Sequence, residues 1–239
     1  MKTADKRILA IVPAFNECGN IGRTVAEIRK LAAGVDVLVI DDGSRDETAR
    51  EAAAAGGMVV SLPFNLGIGA AVQTGFQYAK KCGYDIAVQI DGDGQHDPSY
   101  TGKLIEPLSQ GTADMTVGSR FMEGSRGYRS SFRRRVGINF FVYLINALTG
   151  VKVSDPTSGF RGYNKRMIEL FADYYPYDFP EPEAIVLAQQ ARAKIVELPV
   201  AMRAREAGSS SIRYFKTLYY MVKVTLAIVL QMIRRRRHK

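Results

Sequence analysis

The chain has 239 residues, 46% of them hydrophobic and 24% charged, which is the composition of one ordinary folded domain and excludes a disordered or collagen-like chain. Its two cysteines, Cys18 and Cys82, and two histidines, His96 and His238, exclude a disulfide framework, a zinc finger and a multi-histidine metal centre. The net charge is +9, yet residues 1–202 carry 23 basic and 23 acidic side chains, so the whole excess lies in residues 203–239, with ten basic residues against Glu206.

A tail of this kind meets phosphate, on nucleic acid or at a membrane surface. Residues 1–7 are polar and the apolar run after them lasts one strand, so no signal peptide is expected. Low cysteine usage suits a reducing compartment.

In chain order, residues 7–13 (RILAIVP) read as a buried strand and 21–31 as a helix after a polar turn at 16–20. Residues 35–40 are a second strand ending in Asp41-Asp42-Gly43-Ser44. Residues 46–55 are a helix with acidic residues at its start, where Asp46 is expected to cap. Strand 59–62, helix 69–81 and strand 85–90 follow, the last ending in Asp91-Gly92-Asp93-Gly94-Gln95. This alternation predicts an α/β fold with a mostly parallel sheet covered on both faces. The second half is less regular: helix 98–108, strand 115–118, an arginine- and glycine-rich segment 124–135, apolar helix 136–148, loop 155–161 entering a strand, helix 182–193, strand 195–200 and a final helix 212–233.

Ligands of such sheets bind beyond the carboxyl ends of the strands. Both acidic clusters fall there. Asp91 and Asp93, one residue apart, can share a hard divalent cation, with Gly92 allowing a tight turn; the plainer reading is a solvated turn, with Asp97-Pro98 capping the next helix. Capping does not account for Asp41 and Asp42 together, and a carboxylate there can accept from a base N–H or a ribose hydroxyl. NLGIG (65–69) lacks the third glycine of a dinucleotide fingerprint and no GKS or GKT follows it, so its plain reading is a turn into a helix.

VPAFNE (12–17), DDGS (41–44), NLGIGAAVQTG (65–75), DGDGQHDP (91–98), GSR (118–120) and DPTSGFR (155–161) stand in the order found in family 2 glycosyltransferases. The chain resembles their dolichol-phosphate mannose synthase and polyprenyl-phosphate glycosyltransferase branch. The resemblance implies a GT-A fold, Rossmann-like, and an inverting, metal-dependent enzyme using nucleotide-diphosphate sugars. It implies that Pro13, Ala14, Phe15 and Glu17 line the base and ribose, with Asp42, Asn65 and Gly69 also on the nucleotide side. Asp91 and Gly92 would lie near the sugar and ribose. Asp93 and Gln95 would bind Mg²⁺ or Mn²⁺. Arg120 and an arginine among Arg133, Arg134 and Arg135 would hold an acceptor phosphate. Arg205 and the 208–210 loop with Ser210 would close over the donor. Two departures stand out: Ile68, where many synthases of this branch carry lysine, and DFPEPE (178–183), which resembles a bacterial subgroup associated with cell-surface polysaccharide genes.

The chemistry suits these residues. A metal neutralises the leaving diphosphate. A phosphate acceptor is already ionised and needs cations rather than a base. A sugar-hydroxyl acceptor would need a general base, and Glu181 and Glu183 are the candidates, Glu183 foremost; Glu183 also reads simply as a helix N-terminal residue after Pro182.

The final helix has an uncharged run of ten residues, 224–233, too short to cross a bilayer of about 30 Å. With Lys223 and Arg234 to Arg237 beside it, it predicts an amphipathic helix on an anionic membrane surface, and hence a peripheral enzyme on the cytoplasmic face, the plainer reading being a helix packed on the body with its arginines solvated. Residues 136–148 offer a second such contact, or a surface for pairing two copies, and read equally as an ordinary core helix. A nucleic-acid-binding tail is disfavoured, because the charge is interleaved with an apolar stripe and no recognition motif is present. The expected organisation is a catalytic domain over 1–202, with a nucleotide half (1–97) and an acceptor half (98–202), then a donor-closing loop and surface helix over 203–239.

Overall fold

The chain folds around one seven-stranded sheet. In the computed structural model, residues 6–125, 132–177, 180–203 and 223–229 are described, with backbone alone at 132–134 and 136. The elements are β1 (Ile8–Ala14), α1 (Ile21–Leu31), β2 (Val35–Asp41), α2 (Thr48–Ala54), β3 (Met58–Ser61), α3 (Ile68–Lys81), β4 (Ile86–Gln89), α4 (Thr101–Ser109), β5 (Met115–Ser119), α5 (Phe132–Thr149), β6 (Arg161–Asn164), α6 (Lys165–Asp173), α7 (Pro180–Gln190) and β7 (Ile195–Pro199), with a 3-10 turn, Pro98–Tyr100, before α4. The predicted elements all recur within a few residues of their expected bounds, apart from the final helix, most of which lies outside the described residues.

The strand order is β3-β2-β1-β4-β6-β5-β7. β1 pairs in parallel with both β2 and β4, and β5 with β7, whereas β6 runs antiparallel to β4 and β5. The two halves expected from the sequence therefore share a single sheet.

Period-two alternation in the inner strands explains how both faces are covered. Leu9, Ile11, Leu38 and Ile40 point to one face, where α3, α5, α6 and α7 supply Phe76, Phe141, Phe171 and Ile185. Ala10, Val12, Val37 and Val39 point to the other, against Ile21, Val25 and Ile28 of α1 and Leu104 and Leu108 of α4.

α6 is the element the sequence pattern above does not mark. Asn164 caps it, its side chain accepting from the Met167 N–H at 3.0 Å, and Met167, Ile168, Phe171 and Ala172 form its buried stripe. The cap and the i, i+4 spacing were the available signals; nine residues following directly on a strand obscured them.

No helix among the described residues is long and apolar enough to cross a membrane. Of the final helix, residues 223–229 are helical. There Val224 and Ile228 are buried in the α3–α5–α7 core while Leu226 is exposed, so this turn packs on the body.

Gly69, in the first turn of α3, allows a close chain approach: a Cβ there would lie 2.3 Å from the Tyr177 carbonyl oxygen and 2.4 Å from that of Pro176. Backbone cannot step aside, so Gly69→Ala is expected to lower unfolding stability by about 1–3 kcal/mol. Gly102→Ala in α4, where nothing lies within 4 Å, should instead be neutral or stabilising by roughly 0.5–1 kcal/mol. Denaturant titration of the two variants checks both signs.

Candidate active site

The order β2-β1-β4 makes the carboxyl ends of β1 and β4 a topological switch point, where a sheet of this kind opens a crevice. Antiparallel β6 brings more chain to the same end. Its first residue, Arg161, is in register with Gln89 of β4 and Val117 of β5, so loop 155–160 enters beside Asp91 and beside Ser119-Arg120. β7 pairs Pro199 with Ser119 and delivers residues 200–203. The resulting cleft is lined by Asp91, Gln95, His96, Arg120, Thr157, Ser158, Gly159 and Met202.

Three loops on the nucleotide side are tied to one another. Ser44 Oγ accepts from the Asn16 N–H at 2.9 Å, and Asn16 Oδ1 accepts from the Arg45 N–H at 2.9 Å. Thr48 Oγ1 accepts from the Glu17 N–H at 2.9 Å. Asp41 is buried and accepts from the Ser44 N–H. Asp42 is buried as well, and its two oxygens accept from the Leu66 and Gly67 N–H groups at 2.7 and 2.9 Å. Asp42 therefore fastens the 65–67 turn. Asp46 accepts from the Thr48 N–H as expected of a cap, but from one position before the N-cap residue, Glu47.

Of the residues expected on the nucleotide, Pro13 and Ala14 are buried at the end of β1, their carbonyls accepting from Gly92 and Asp42. Phe15 stands 42% exposed at the rim. Glu17 is half-buried and its Oε2 accepts from Asn20. Asn65 is exposed, whereas Gly69 is turned to the 176–177 backbone, which accounts for glycine there.

The turn after β4 differs from the expected one. The positive φ, +74°, belongs to Gly94 and not to Gly92. Gly92 is small for packing: a Cβ would meet the Pro13 carbonyl at 3.1 Å and Ile21 at 3.2 Å. Asp93 Oδ1 accepts from the Gln95 N–H at 3.0 Å. Behind it His96, 4% exposed, stacks on Phe160 with ring centroids 4.9 Å apart and accepts the Asp91 N–H on Nδ1 at 3.0 Å. That bond leaves the proton on Nε2, 3.7 Å from Asp91 Oδ2. Arg203 closes the turn from outside: its N–H donates to the Gln95 carbonyl at 2.9 Å, and its guanidinium pairs with Glu27 at 2.6 Å and Asp97 at 3.5 Å.

Arg120 is held by the fully buried Asp155 in a bidentate pair, Nε to Oδ2 and Nη2 to Oδ1 both at 2.7 Å, and Nη2 also donates to Thr157 Oγ1 at 2.8 Å. Asp155 and Thr157 thereby fix the orientation of this guanidinium, which lines the cleft beside Asp91 and Gln95. Asp155 is itself positioned by Glu197, which accepts the Ser154 and Asp155 N–H groups at 2.8 and 2.7 Å. Phe121 carries the Arg120 guanidinium 5.4 Å from its ring centroid and that of Arg135 at 5.3 Å. Arg135 is exposed, so it is the free-facing arginine of the pair. The side chains of Arg133 and Arg134, and all of Arg205 and Ser210, lie outside the described residues. Glu181 and Glu183 occupy the first turn of α7.

Burial pushes the Asp91 carboxyl above the ordinary carboxylate range, against the pull of Gln89, Arg120 and Arg161. Burial pushes Glu181 up as well, again against Arg161. The Asp91 charge pushes Glu181 in the same direction. Arg161, Glu197 and His96 were not singled out from the sequence. An arginine inside GFRGY, flanked by residues that read as buried strand, was the signal for the first.

Among the described residues no three His, Cys, Asp or Glu gather into a metal cage. Asp93 and Gln95 are nonetheless hard oxygen donors, both part-exposed at the strand-end turn. One carboxylate plus an amide oxygen, completed by water and substrate phosphate, suits Mg²⁺ or Mn²⁺, so the residues fit such an ion.

Burial pushes His96 down to about 4 from 6.5. The unfolded chain therefore binds the extra proton between those values. Stability from this group is fully present above pH 6.5 and is lost as pH falls through about 4, a loss of about 3 kcal/mol. In chelator-treated protein, urea titrations across that window should show His96→Asn losing less stability than wild type by roughly this amount.

Comparison with known proteins agrees with this arrangement. The Glycosyl transferase family 2 profile matches residues 9–171. Polyprenol monophosphomannose synthase of Mycolicibacterium smegmatis is 31% identical over 215 residues, 86% of this chain and 80% of that protein. Undecaprenyl-phosphate mannosyltransferase of Micrococcus luteus is 31% identical over 214 residues, 85% of this chain and 86% of that protein. Among solved structures, glucosyl-3-phosphoglycerate synthase from Mycobacterium tuberculosis, in complex with Mn²⁺, UDP and glucosyl-3-phosphoglycerate, has a TM-score of 0.69 at 21% identity, covering 96% of this chain and 80% of that one, a likeness of fold. Since the matched span contains all six loop motifs that meet at the switch point, the chain belongs to glycosyl transferase family 2 and is a glycosyltransferase of the GT-A fold.

Proposed function

We propose that the enzyme moves a single sugar from a UDP- or GDP-linked donor to a polyprenyl phosphate at the cytoplasmic face of a membrane, with inversion at the anomeric carbon. The observation that carries this reading is the exposed Arg135, stacked on Phe121 beside Arg120, which itself lines the cleft with Asp91 and Gln95. The names of the two mannosyl-transferring relatives support it. In this reading residues 1–97 serve the donor, 98–202 the acceptor, and the segment after 203, with Arg205 and Ser210, closes the site.

Phe15 and the interlocked loops at 14–17 and 41–46 receive the base and ribose, and Asp91 faces the sugar. A divalent cation on Asp93 and Gln95 would offset the charge of the leaving diphosphate. Arg120 and Arg135, through their planar guanidinium forks, draw in and align the acceptor phosphate, with Arg133 or Arg134 as further cations. The phosphate oxygen is already charged, so no protein group need take its proton. On α5, Tyr143 is 77% exposed and Phe140 39%, apolar side chains suited to a lipid surface or to a second copy.

A second reading, transfer to a sugar hydroxyl of a lipid-linked or cell-surface glycan, is favoured by the first turn of α7. In that reading Glu183 would act as general base, beside Glu181, whose carboxyl burial pushes above its ordinary range.

Purified enzyme with Mn²⁺, undecaprenyl phosphate and a panel of UDP- and GDP-sugars is expected to convert one donor into an acid-labile lipid product, and chelation should abolish turnover. Asp93→Asn should lower kcat on the order of 100-fold or more. Arg135→Ala should raise the KM for undecaprenyl phosphate about 10-fold, the equivalent of one charge-assisted bond, and leave donor KM unchanged. Donor hydrolysis without lipid product would reject the phosphate acceptor, and loss of glycan elongation in Glu183→Gln would then establish the second reading.

A further inference from the structure

Arg161 is a fully buried cation for which the chemistry above has no use. It opens β6, and its guanidinium donates in three directions: Nε to the Ser158 carbonyl at 2.7 Å, Nη2 to the Pro156 carbonyl at 2.9 Å, and Nη1 to the Glu181 carbonyl at 2.7 Å. All three acceptors are backbone. Burying a charge is costly unless its donors are met and counter-charge is near. Here Asp91 and Glu181 both feel the guanidinium charge.

The placement of those carbonyls gives the side chain a purpose beyond packing. Pro156 and Ser158 bracket Thr157, whose Oγ1 accepts from Arg120 Nη2 at 2.8 Å and donates to Asp155 Oδ1 at 3.2 Å. The next residue, Gly159, lies so close to Asp91 that a Cβ there would stand 3.0 Å from Oδ2. The third carbonyl belongs to the first turn of α7. One planar fork thus joins the loop that seats Arg120 and backs Asp91 to the helix that carries Glu181 and Glu183. Glu197 holds the same loop from its far end through the Ser154 and Asp155 N–H groups. A lysine ammonium cannot reproduce three coplanar directions.

We propose that Arg161 is a positioning residue for sugar transfer: by clamping the carbonyls of Pro156, Ser158 and Glu181 it sets where Arg120 and Asp91 stand in the cleft. The kinetic part of the test rests on the glycosyltransferase activity proposed above, and the structural part does not.

The test compares wild type with Arg161→Lys by amide hydrogen exchange and by steady-state kinetics. In Arg161→Lys, the Arg120 amide, which donates to Asp155, and the amides of 155 and 157–160 are expected to exchange at least about 10-fold faster, while those of β1 and β2 keep their wild-type rates. Displacement of about 1 Å is worth roughly 100-fold in rate, so kcat should fall by about that factor, with donor KM and the affinity for UDP or GDP with Mn²⁺ within threefold of wild type. Unchanged exchange at Arg120, 155 and 157–160 would overturn the proposal. So would a lower melting temperature with wild-type kcat below it, the signature of a merely structural role. If Arg161→Lys does not fold, Arg161→Gln, which keeps two donors and removes the buried charge, is read by the same criteria. If wild type turns over no donor, the transfer reading fails alone, and the exchange rates still decide the role of Arg161.

Discussion

The site depends on the insertion of one antiparallel strand, β6, between β4 and β5. Its register sets Arg161 against both Gln89 and Val117. Because β6 begins where its neighbours end, the loop that precedes it is delivered to the same edge as the turns after β4 and β5. A parallel strand at that position would have sent residues 155–160 to the opposite edge of the sheet. Asp155 would then lie a full strand length from Arg120, and Gly159 would not back Asp91. The convergence of six separated motifs is thus a consequence of strand direction and register.

Polar groups brought to one buried edge must satisfy one another. The structure does this in layers. Nearest the surface, Asp93, Gln95 and Arg135 keep some exposure, as groups that meet solvent and substrate must. Beneath them Arg120 and Asp155 pair in a bidentate fork, and His96 takes the Asp91 N–H as a neutral ring. Arg161 is fully buried, its guanidinium donating to three backbone carbonyls. A bidentate guanidinium–carboxylate pair and a three-carbonyl clamp each constrain orientation as well as distance. The outcome is a preorganised edge, in which the groups facing the cleft are fixed by groups that do not face it. On the nucleotide side, Asp41, Asp42, Ser44 and Asn16 spend their side chains on loop backbone in the same way, and the exposed Phe15 is left for contact.

Most of the fold was legible in the sequence. The six elements from β1 to α3 lie close to their expected bounds, because a doubly covered parallel sheet imposes long apolar runs on its strands and one-sided stripes on its helices. The motifs at the strand ends marked the site, and strand ends are where open α/β sheets bind. The roles of individual residues were less legible. Asp42 and Gly69 belong to motifs on the nucleotide side, and only the structure shows that the first also ties down a loop and that the second admits a neighbouring backbone. Arg120 carries the charge expected of a phosphate ligand, and the carboxylate that orients it, Asp155, lies 35 residues away. Local pattern reports which residue types gather, and not which of them face inward.

The sequence by itself determined the α/β class, the strand–helix order, the glycosyltransferase resemblance and the small set of loops in which the chemistry lies. These follow from periodicity, turn residues and spacing, which are local properties of a chain. Only the tertiary structure decided that β6 is antiparallel, that α6 exists between it and α7, that Val224 and Ile228 pack on the body, and that Arg161, Glu197 and His96 support the site. Apart from α6, whose signals were local but obscured, these rest on contacts between residues tens of positions apart, as with Glu197 and Asp155 or His96 and Phe160. Such contacts are set by register and burial, and no window of sequence contains both partners.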